Sequence, residues 1–297
     1  MSILLNKSTR VLVQGITGRI GSVQTHWMLA YGTNIVAGVT PGKGGTAVEG
    51  VPVFDSVLEA VEKTGAEASV FFVPAPFVLD AFIETVDVGI SLIVVVPEHI
   101  PVHDVMKMKA YARKHENRGL FALGPTTAGI LTPGEAKMGI MPASLFKPGR
   151  IGIISRSGTL SYEMAGILSS AGYGQSTVVG KGADPISLTT LSVILQHFDR
   201  DAATDGVVIV GEVGGVQEEE AAKFIADGMQ KPVAAYIAGK FAPEGKRMGH
   251  AGAIVRGSQG TFASKQQALR EANVTILNSP IDVIDWAQRI SFVDADC

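Results

Sequence analysis

The sequence predicts an α/β protein made of two consecutive parallel-sheet domains. Three features carry that prediction: short runs of consecutive β-branched and aliphatic residues, amphipathic stretches of helical period between the runs, and glycine-rich turns directly after several of them. Unbroken apolar runs mark strands covered on both faces, and their alternation with helices marks parallel pairing.

In the first half the strand candidates are Val11-Leu12-Val13, Ile35 to Val39, Ser69 to Val73, Leu92 to Val96 and Gly119 to Leu123. Ser22 to Tyr31, Val57 to Thr64, Val78 to Val88 and Val102 to His115 read as the intervening helices. These strands complete one domain, residues 1–125. The Gly- and Pro-rich stretch 126–148 reads as a linker. The rhythm restarts with Ile151 to Ile154, Gln175 to Val179, Gly206 to Val210, Pro232 to Ile237 and Val274 to Leu277, which predicts a second α/β domain over 149–297. Open sheets of this kind bind ligands beyond the carboxyl ends of their strands, where the glycine-rich turns fall.

Composition narrows the function classes. The 297 residues are 46% hydrophobic and 18% charged, which describes a packed globular chain rather than a disordered one. A formal charge of −3 gives no reason to expect nucleic acid as a partner. Cys297 is the only cysteine, so an intrachain disulfide and a cysteine metal cluster are excluded. The longest apolar run, near Leu92 to Pro97, is far short of the roughly 20 residues of a spanning helix. The opening Met1-Ser2-Ile3-Leu4-Leu5-Asn6 lacks the basic and hydrophobic regions of a signal peptide. The expectation is a cytoplasmic protein with no membrane partner and no metal site of its own.

Gln14-Gly15-Ile16-Thr17-Gly18-Arg19-Ile20-Gly21 follows the first strand and opens a helix. Glycines at this spacing let a pyrophosphate approach a helix N-terminus. NAD is disfavoured, because the end of the second strand, Val36-Ala37-Gly38-Val39-Thr40, carries no acid for the ribose hydroxyls. The following loop, Pro41-Gly42-Lys43-Gly44-Gly45, offers an ammonium to phosphate instead, and coenzyme A is the better candidate. Pro74-Ala75-Pro76-Phe77 would form an apolar wall beside it. Ordinary tight turns are the alternative.

In the second half, Ser155-Arg156-Ser157-Gly158-Thr159-Leu160 joins a strand to a helix beginning near Leu160, and its hydroxyls and free N–H groups make an anion site. It is not a nucleophile elbow, since no glycine stands two residues before Ser157. The Walker spacing is absent throughout, so no site for gripping ATP is recognisable. Glu212 lies at the end of a strongly apolar strand, as either a crevice acid or a helix-cap acid. His250, in Arg247-Met248-Gly249-His250-Ala251-Gly252, sits between glycines with Lys246 and Arg247 before it. It reads as a nucleophile, a general base or a structural loop histidine. A carboxylate beside it would hold a proton on one ring nitrogen and leave the other to attack. Glu218-Glu219-Glu220 reads as a solvated first helical turn.

With these segments in view, the chain resembles the α subunits of succinyl-CoA ligase and related nucleoside-diphosphate-forming acyl-CoA ligases. The resemblance runs through Thr40 to Gly45, Pro133-Gly134-Glu135, Gly139 to Pro142, Ser155 to Leu160, Gly211 to Gly215 and Gly245 to Ile254. It implies a Rossmann-like CoA-binding domain followed by a flavodoxin-like ligase domain. It implies that His250 is phosphorylated transiently, that Glu212 steadies it, and that Ser157, Gly158 and Thr159 cradle the phosphoryl group. Coenzyme A is then expected at Gly15, Thr17, Gly18, Arg19, Gly21, Lys43, Val73, Pro74, Pro97 and Glu98, and the carboxylate substrate at Thr126, Thr127, Tyr162 and Lys181. ATP or GTP with Mg²⁺ is expected mainly on a separate ATP-grasp β subunit. The implied sequence is phosphohistidine, then acyl phosphate, then thioester.

Two segments depart from the family pattern. Gly124-Pro125-Thr126-Thr127-Ala128-Gly129 stands for Gly-Pro-Asn-Cys-(Pro/Ala)-Gly and is more like ATP-citrate lyase. Gly180-Lys181-Gly182-Ala183-Asp184-Pro185 stands for Gly-Ile-Gly-Gly-Asp-Pro. Lys181 either pairs with an additional substrate carboxylate or hydroxyl, or lies on the surface. Citrate (a citryl-CoA synthetase small subunit) and malate therefore stand beside succinate as substrates. A CoA-binding regulatory subunit without turnover and an NAD oxidoreductase are the readings from other classes.

Overall fold

The structure is a computed structural model that describes residues 3–115, 119–243, 245–255 and 259–291; Met1, Ser2 and Cys297 lie outside them. The first domain holds β1 (Val11–Gln14), β2 (Ile35–Val39), β3 (Ala47–Val48), β4 (Val51–Phe54), β5 (Ala68–Phe71), β6 (Leu92–Val95) and β7 (Phe121–Leu123). They form one sheet in the order β3-β4-β2-β1-β5-β6-β7. Apart from the β3–β4 hairpin, every pairing is parallel. Without β3, chain order across the sheet is that of a dinucleotide-binding Rossmann sheet, and the order reverses between β1 and β5. Helices α1 (Arg19–Tyr31), α2 (Val57–Thr64), α3 (Val78–Asp87) and α4 (Val102–Lys114) cover it.

The hairpin is absent from the sequence-based reading for a physical reason. Its strands are short, and Pro52 removes a ladder donor from β4. Glu49 and Gly50 both take positive φ (52° and 79°), the geometry of a tight two-residue hairpin turn.

The second sheet runs β14-β13-β12-β10-β11-β8-β9. Its parallel part is β10 (Pro148–Ser155), β11 (Gln175–Gly180), β12 (Gly206–Glu212), β13 (Val233–Ala238) and β14 (Thr275–Leu277), in flavodoxin order with its reversal between β10 and β12. Helices α5 (Gly158–Ser170), α6 (Leu191–Arg200), α7 (Gln217–Ala226), α8 (Phe262–Glu271) and α9 (Val283–Ser291) accompany it.

The stretch read as a linker is instead largely structured. β8 (Gly129–Thr132) and β9 (Ala136–Gly139) form a hairpin that adds antiparallel to β11. It is tied to the first domain as well: the Thr33 hydroxyl donates to the Lys137 carbonyl at 2.9 Å, and the Thr132 hydroxyl to the Leu5 carbonyl at 2.7 Å. One hydrophobic cluster correspondingly runs from Val13, Val70 and Val94 through Ile130 to Ile154 and Val179. Among the described residues no helix is long and apolar enough to cross a membrane.

Candidate active site

The reversal between β10 and β12 brings two strand ends side by side. β10 ends at Ser155, and α5 starts at Gly158, two residues before the expected Leu160. Ser157 caps that helix, its hydroxyl accepting from the Leu160 N–H at 3.3 Å. The Ser155 hydroxyl donates to the Ser157 carbonyl at 2.6 Å and holds the turn. No acidic residue occupies the first turn of α5, so the positive end of the helix at Gly158 and Thr159 carries no competing charge of its own.

β12 ends at Glu212, which is a strand residue and not a helix cap. Its Oε2 lies 2.7 Å from Nδ1 of His250. The Glu212 side chain is 8% exposed and the imidazole 35%, so the acid is withdrawn while the ring remains reachable. The hydrogen bond to Glu212 lifts the proton affinity of His250 above its usual value against the opposing effect of burial, with the charges of Glu212 and Glu98 adding to the lift and Arg156 opposing it. The ring is therefore oriented with Nδ1 toward the acid and Nε2 left over.

The loop carrying His250 is pinned on both sides. Gly252 N–H donates to the Ala183 carbonyl at 3.1 Å, and Met248 N–H to the Ala253 carbonyl at 2.9 Å. Gly214, at φ 91°, lies under this loop, where an added Cβ would overlap the Gly252 carbonyl oxygen. Glycine there is what allows the end of β12 and the histidine loop to touch.

Arg156 is the site residue that sequence reasoning missed. It is buried; Nη2 stands 3.2 Å from Oε1 of Glu212 and Nη1 3.3 Å from Oε1 of Glu218. Nη1 also donates to the carbonyls of Glu212 (3.2 Å) and Gly214 (2.8 Å). The available signal was a lone cation wedged between two serines at a strand end. Glu218 corrects the expectation of a solvated turn: it is fully buried and paired with buried Lys265, which also reaches Glu219 at 3.1 Å. Burial alone would raise Glu218, but Lys265 and Arg156 hold it below the usual carboxylate range. Helical periodicity puts position 218 on the sheet side of α7, and a distant lysine supplies the counter-charge.

Of the two alternatives for Lys181, burial removes the surface one: it is 2% exposed. Thr127 is buried, with its hydroxyl donating to the Gly180 carbonyl and accepting from the Gly129 N–H at 2.9 Å, so it braces the wall. Thr126, at φ 56°, donates its hydroxyl to Asp184 at 2.8 Å. Tyr162 is half-buried, its phenol pushed up by burial, with its ring edge-on to Phe146 at 6.2 Å.

In the first domain, the turn at the β1/β5 reversal opens on a cavity of about 470 Å³ lined by Gln14, Gly15, Val39, Thr40, Pro41, Val73, Pro74 and Phe77, with Asp80, Ala81 and Glu84 of α3 on its remaining side. Gly15, Val73 and Pro74 are thus together, and Phe77 forms the expected apolar wall. Gly18 caps α1 without any side-chain hydrogen bond, and the first turn, from Arg19, holds no acid. Gly21 is packed so closely that a Cβ would overlap the Gly15 carbonyl. The Thr17 hydroxyl donates to that of Thr40 at 3.1 Å. Lys43 is exposed on the loop after β2. Pro97 and Glu98 follow β6, on the far side of β5, and the Pro97 carbonyl accepts from Thr126 N–H at 3.1 Å. A glycine-capped helix start with no acid in its first turn, close to a largely apolar crevice, fits a nucleotide-bearing thiol carrier.

Comparison with known proteins agrees with this geometry. Residues 6–99 match the family described as CoA binding domain, and residues 154–275 match the CoA-ligase family. The succinate–CoA ligase (ADP-forming) subunit alpha of Aquifex aeolicus is 51% identical over 290 residues, covering 98% of this chain and 95% of its own. Subunit alpha 2 of the enzyme of the same name from Archaeoglobus fulgidus is 53% identical over 290 residues, covering 98% of this chain and 100% of its own. Among solved structures, ATP citrate lyase from Methanothrix soehngenii, in complex with citrate and coenzyme A, superposes with a TM-score of 0.85 at 24% identity. That match covers 98% of this chain but 51% of the lyase chain, so this chain spans about half of it, and the likeness is one of fold. The chain carries a CoA-binding domain and belongs to the CoA-ligase family, among the α subunits of succinate–CoA ligase.

Proposed function

We propose that the chain is the α subunit of an ADP-forming carboxylate–CoA ligase acting on succinate through a phosphohistidine at His250. The observation that carries this is the 2.7 Å contact from Glu212 to His250 Nδ1 beside a partly exposed ring. Glu212 accepts the Nδ1 proton, so the Nε2 lone pair is free to form a bond to phosphorus, and the same carboxylate stabilises the positive ring that results. The first-turn N–H groups of α5, with the hydroxyls of Ser157 and Thr159, hold the phosphoryl oxygens. The N–P bond then breaks as a substrate carboxylate oxygen takes the phosphoryl group, and the acyl group passes to the thiol with release of phosphate.

Coenzyme A, when bound, supplies that thiol. Gly15, Thr17, Gly18, Arg19, Gly21 and Lys43 are the groups for its phosphates, Val73, Pro74 and Phe77 those for its apolar contacts, and Pro97 and Glu98 lead toward the second domain. Thr126 and Tyr162 border the substrate. The nucleotide, ATP rather than GTP for an ADP-forming enzyme, is assigned with Mg²⁺ to a β subunit of ATP-grasp type, because this chain has no Walker motif of its own. The names of the curated relatives favour succinate over citrate or malate. The intact His250–Glu212 pair argues against a regulatory subunit without turnover.

The test is incubation of the assembled α and β subunits with γ-labelled nucleotide. Acid-labile, base-stable label on this chain, lost in His250→Ala and discharged by succinate with coenzyme A, is the expected result. Label that survives His250→Ala would overturn it.

A further inference from the structure

Where the two domains meet on the side of β7, a cavity of about 390 Å³ opens between α4 and α6. Lys109 and Arg113 line it from α4 and His197 from α6, and among the described residues no acid lines it. It shares no lining residue with the coenzyme A crevice and holds neither His250 nor Glu212. Its apolar surface includes Phe121, Leu188 and Val193, with the Phe121 ring edge-on to His197 at 5.1 Å between centroids.

The cations of this cleft are not offset within it. Among the described residues none of the three forms an ion pair with a carboxylate. Lys109 is half-buried; burial, and then the repulsion of Arg113, lowers its proton affinity, with Glu220 of α7 as the opposing charge. His197 is lowered likewise by burial and by Arg200. Like charges gathered in a partly desolvated cleft stand at a cost that an entering anion removes.

The start of α6 adds donors that do not depend on these side chains. Thr190 caps the helix, its hydroxyl accepting from the Val193 N–H at 3.4 Å, and no acid occupies the first turn. The N–H groups of Leu191 and Ser192 have no carbonyl partner inside the helix. The preceding Thr189 hydroxyl accepts from the Ala122 N–H at 3.3 Å and donates to the Ala122 carbonyl at 2.6 Å, which fixes this helix start to β7 of the other domain.

We propose that this cleft is a second ligand site, binding a small dianion with a short apolar body, such as a phosphate monoester or a dicarboxylate. Lys109 and the guanidinium fork of Arg113 hold one set of anionic oxygens, and the first turn of α6 holds the other. The apolar body lies on Phe121, Leu188 and Val193. A volume of about 390 Å³ is at the small end of ligand sites and suits a metabolite rather than a nucleotide carrier. The proposal is independent of the chemistry at His250, because none of these groups belongs to that site.

The test uses the assembled α and β subunits, with histidine ¹⁵N-labelled in this chain, titrated with phenyl phosphate and with malonate. The His197 ring signals are assigned by their absence from His197→Gln. The expected result is a saturable shift of those signals with at least one probe, and the probe that saturates at the lower concentration tells a phosphate ester from a dicarboxylate. In Lys109→Gln/Arg113→Gln the concentration for half-saturation should rise at least about tenfold, with thermal unfolding and coenzyme A binding unchanged. Should that variant fail to assemble, Ser192→Asp decides. It places a carboxylate in the first turn of α6, which favours the helix and disfavours a bound anion, so the same weakening is expected. His197 signals unmoved by both probes overturn the proposal, as do shifts of equal half-saturation in the native protein and the variant. Shifts confined to His250 mean that the probes bind in the catalytic crevice alone, and they overturn it too.

Discussion

Arg156 Nη2 stands 3.2 Å from Oε1 of Glu212, the carboxylate oxygen opposite the one that holds His250. The acid is thus shared between a permanent cation beneath and a titrating ring above. Arg156 draws electron density away from the bond to His250, and without it the carboxylate would hold a proton on the ring more tightly. The pair is therefore tuned as well as oriented.

Glu212→Gln tests the orienting role. An amide keeps the shape but removes the charge that stabilises a phosphorylated ring, so the rate of His250 labelling should fall about 10²–10³-fold. Folding should change little, because Arg156 retains Glu218 and two carbonyls. Single-turnover labelling with γ-labelled nucleotide measures the first, and thermal unfolding the second.

The pH dependence has a determined sign. His250 has a raised proton affinity, and a ring protonated on both nitrogens has no lone pair to attack. The labelling rate should therefore rise with pH through a midpoint above 6.5, and Glu212→Gln should move that midpoint down. Rate profiles and ring ¹⁵N shifts across the same range provide the check; a midpoint unmoved by Glu212→Gln would contradict the assigned pair.

Stability should carry the mark of Lys181. Its folded-state value lies below that of the unfolded chain, so the unfolded state binds more protons between about 7 and 10.5, and stability should increase with pH across that window. Lys181→Ile should remove this slope and add about 2–4 kcal/mol near neutrality. Urea unfolding at a series of pH values separates the two proteins.

The buried pair of Lys265 and Glu218 should behave in the opposite way when broken. Lys265→Met leaves Glu218 with Arg156 as its ion-pair partner among the described residues and should cost about 3–5 kcal/mol. Adding Glu218→Gln should recover part of the loss, as a double-mutant cycle by chemical denaturation would register.

Phe77 is 62% exposed on the wall of the first-domain crevice. Phe77→Ala should weaken coenzyme A binding by about 1 kcal/mol while leaving His250 labelling from nucleotide unchanged. Calorimetry with coenzyme A and the labelling assay together distinguish this from a general loss of structure.

The order of elements was legible in the chain, because unbroken apolar runs such as Leu92 to Val95 and Val207 to Val210 alternate with amphipathic helices, as strands of a sheet covered on both faces do. The approach of Glu212 to His250 and the placing of the turns at Gly15 and Ser157 before helix starts were legible too, since each is marked by glycine or by a polar residue at a strand end. The hairpin β3–β4 was not, for Pro52 and a two-residue turn erase its alternation, and neither was the incorporation of 129–139 into the second sheet. Strand order was decided only in three dimensions: it is the adjacency of β10 and β12 that sets Arg156 against Glu212. The burial of Glu218 and Lys265 likewise belongs to the tertiary structure alone, because each charge is offset against the loss of water by a partner 47 residues away in the chain.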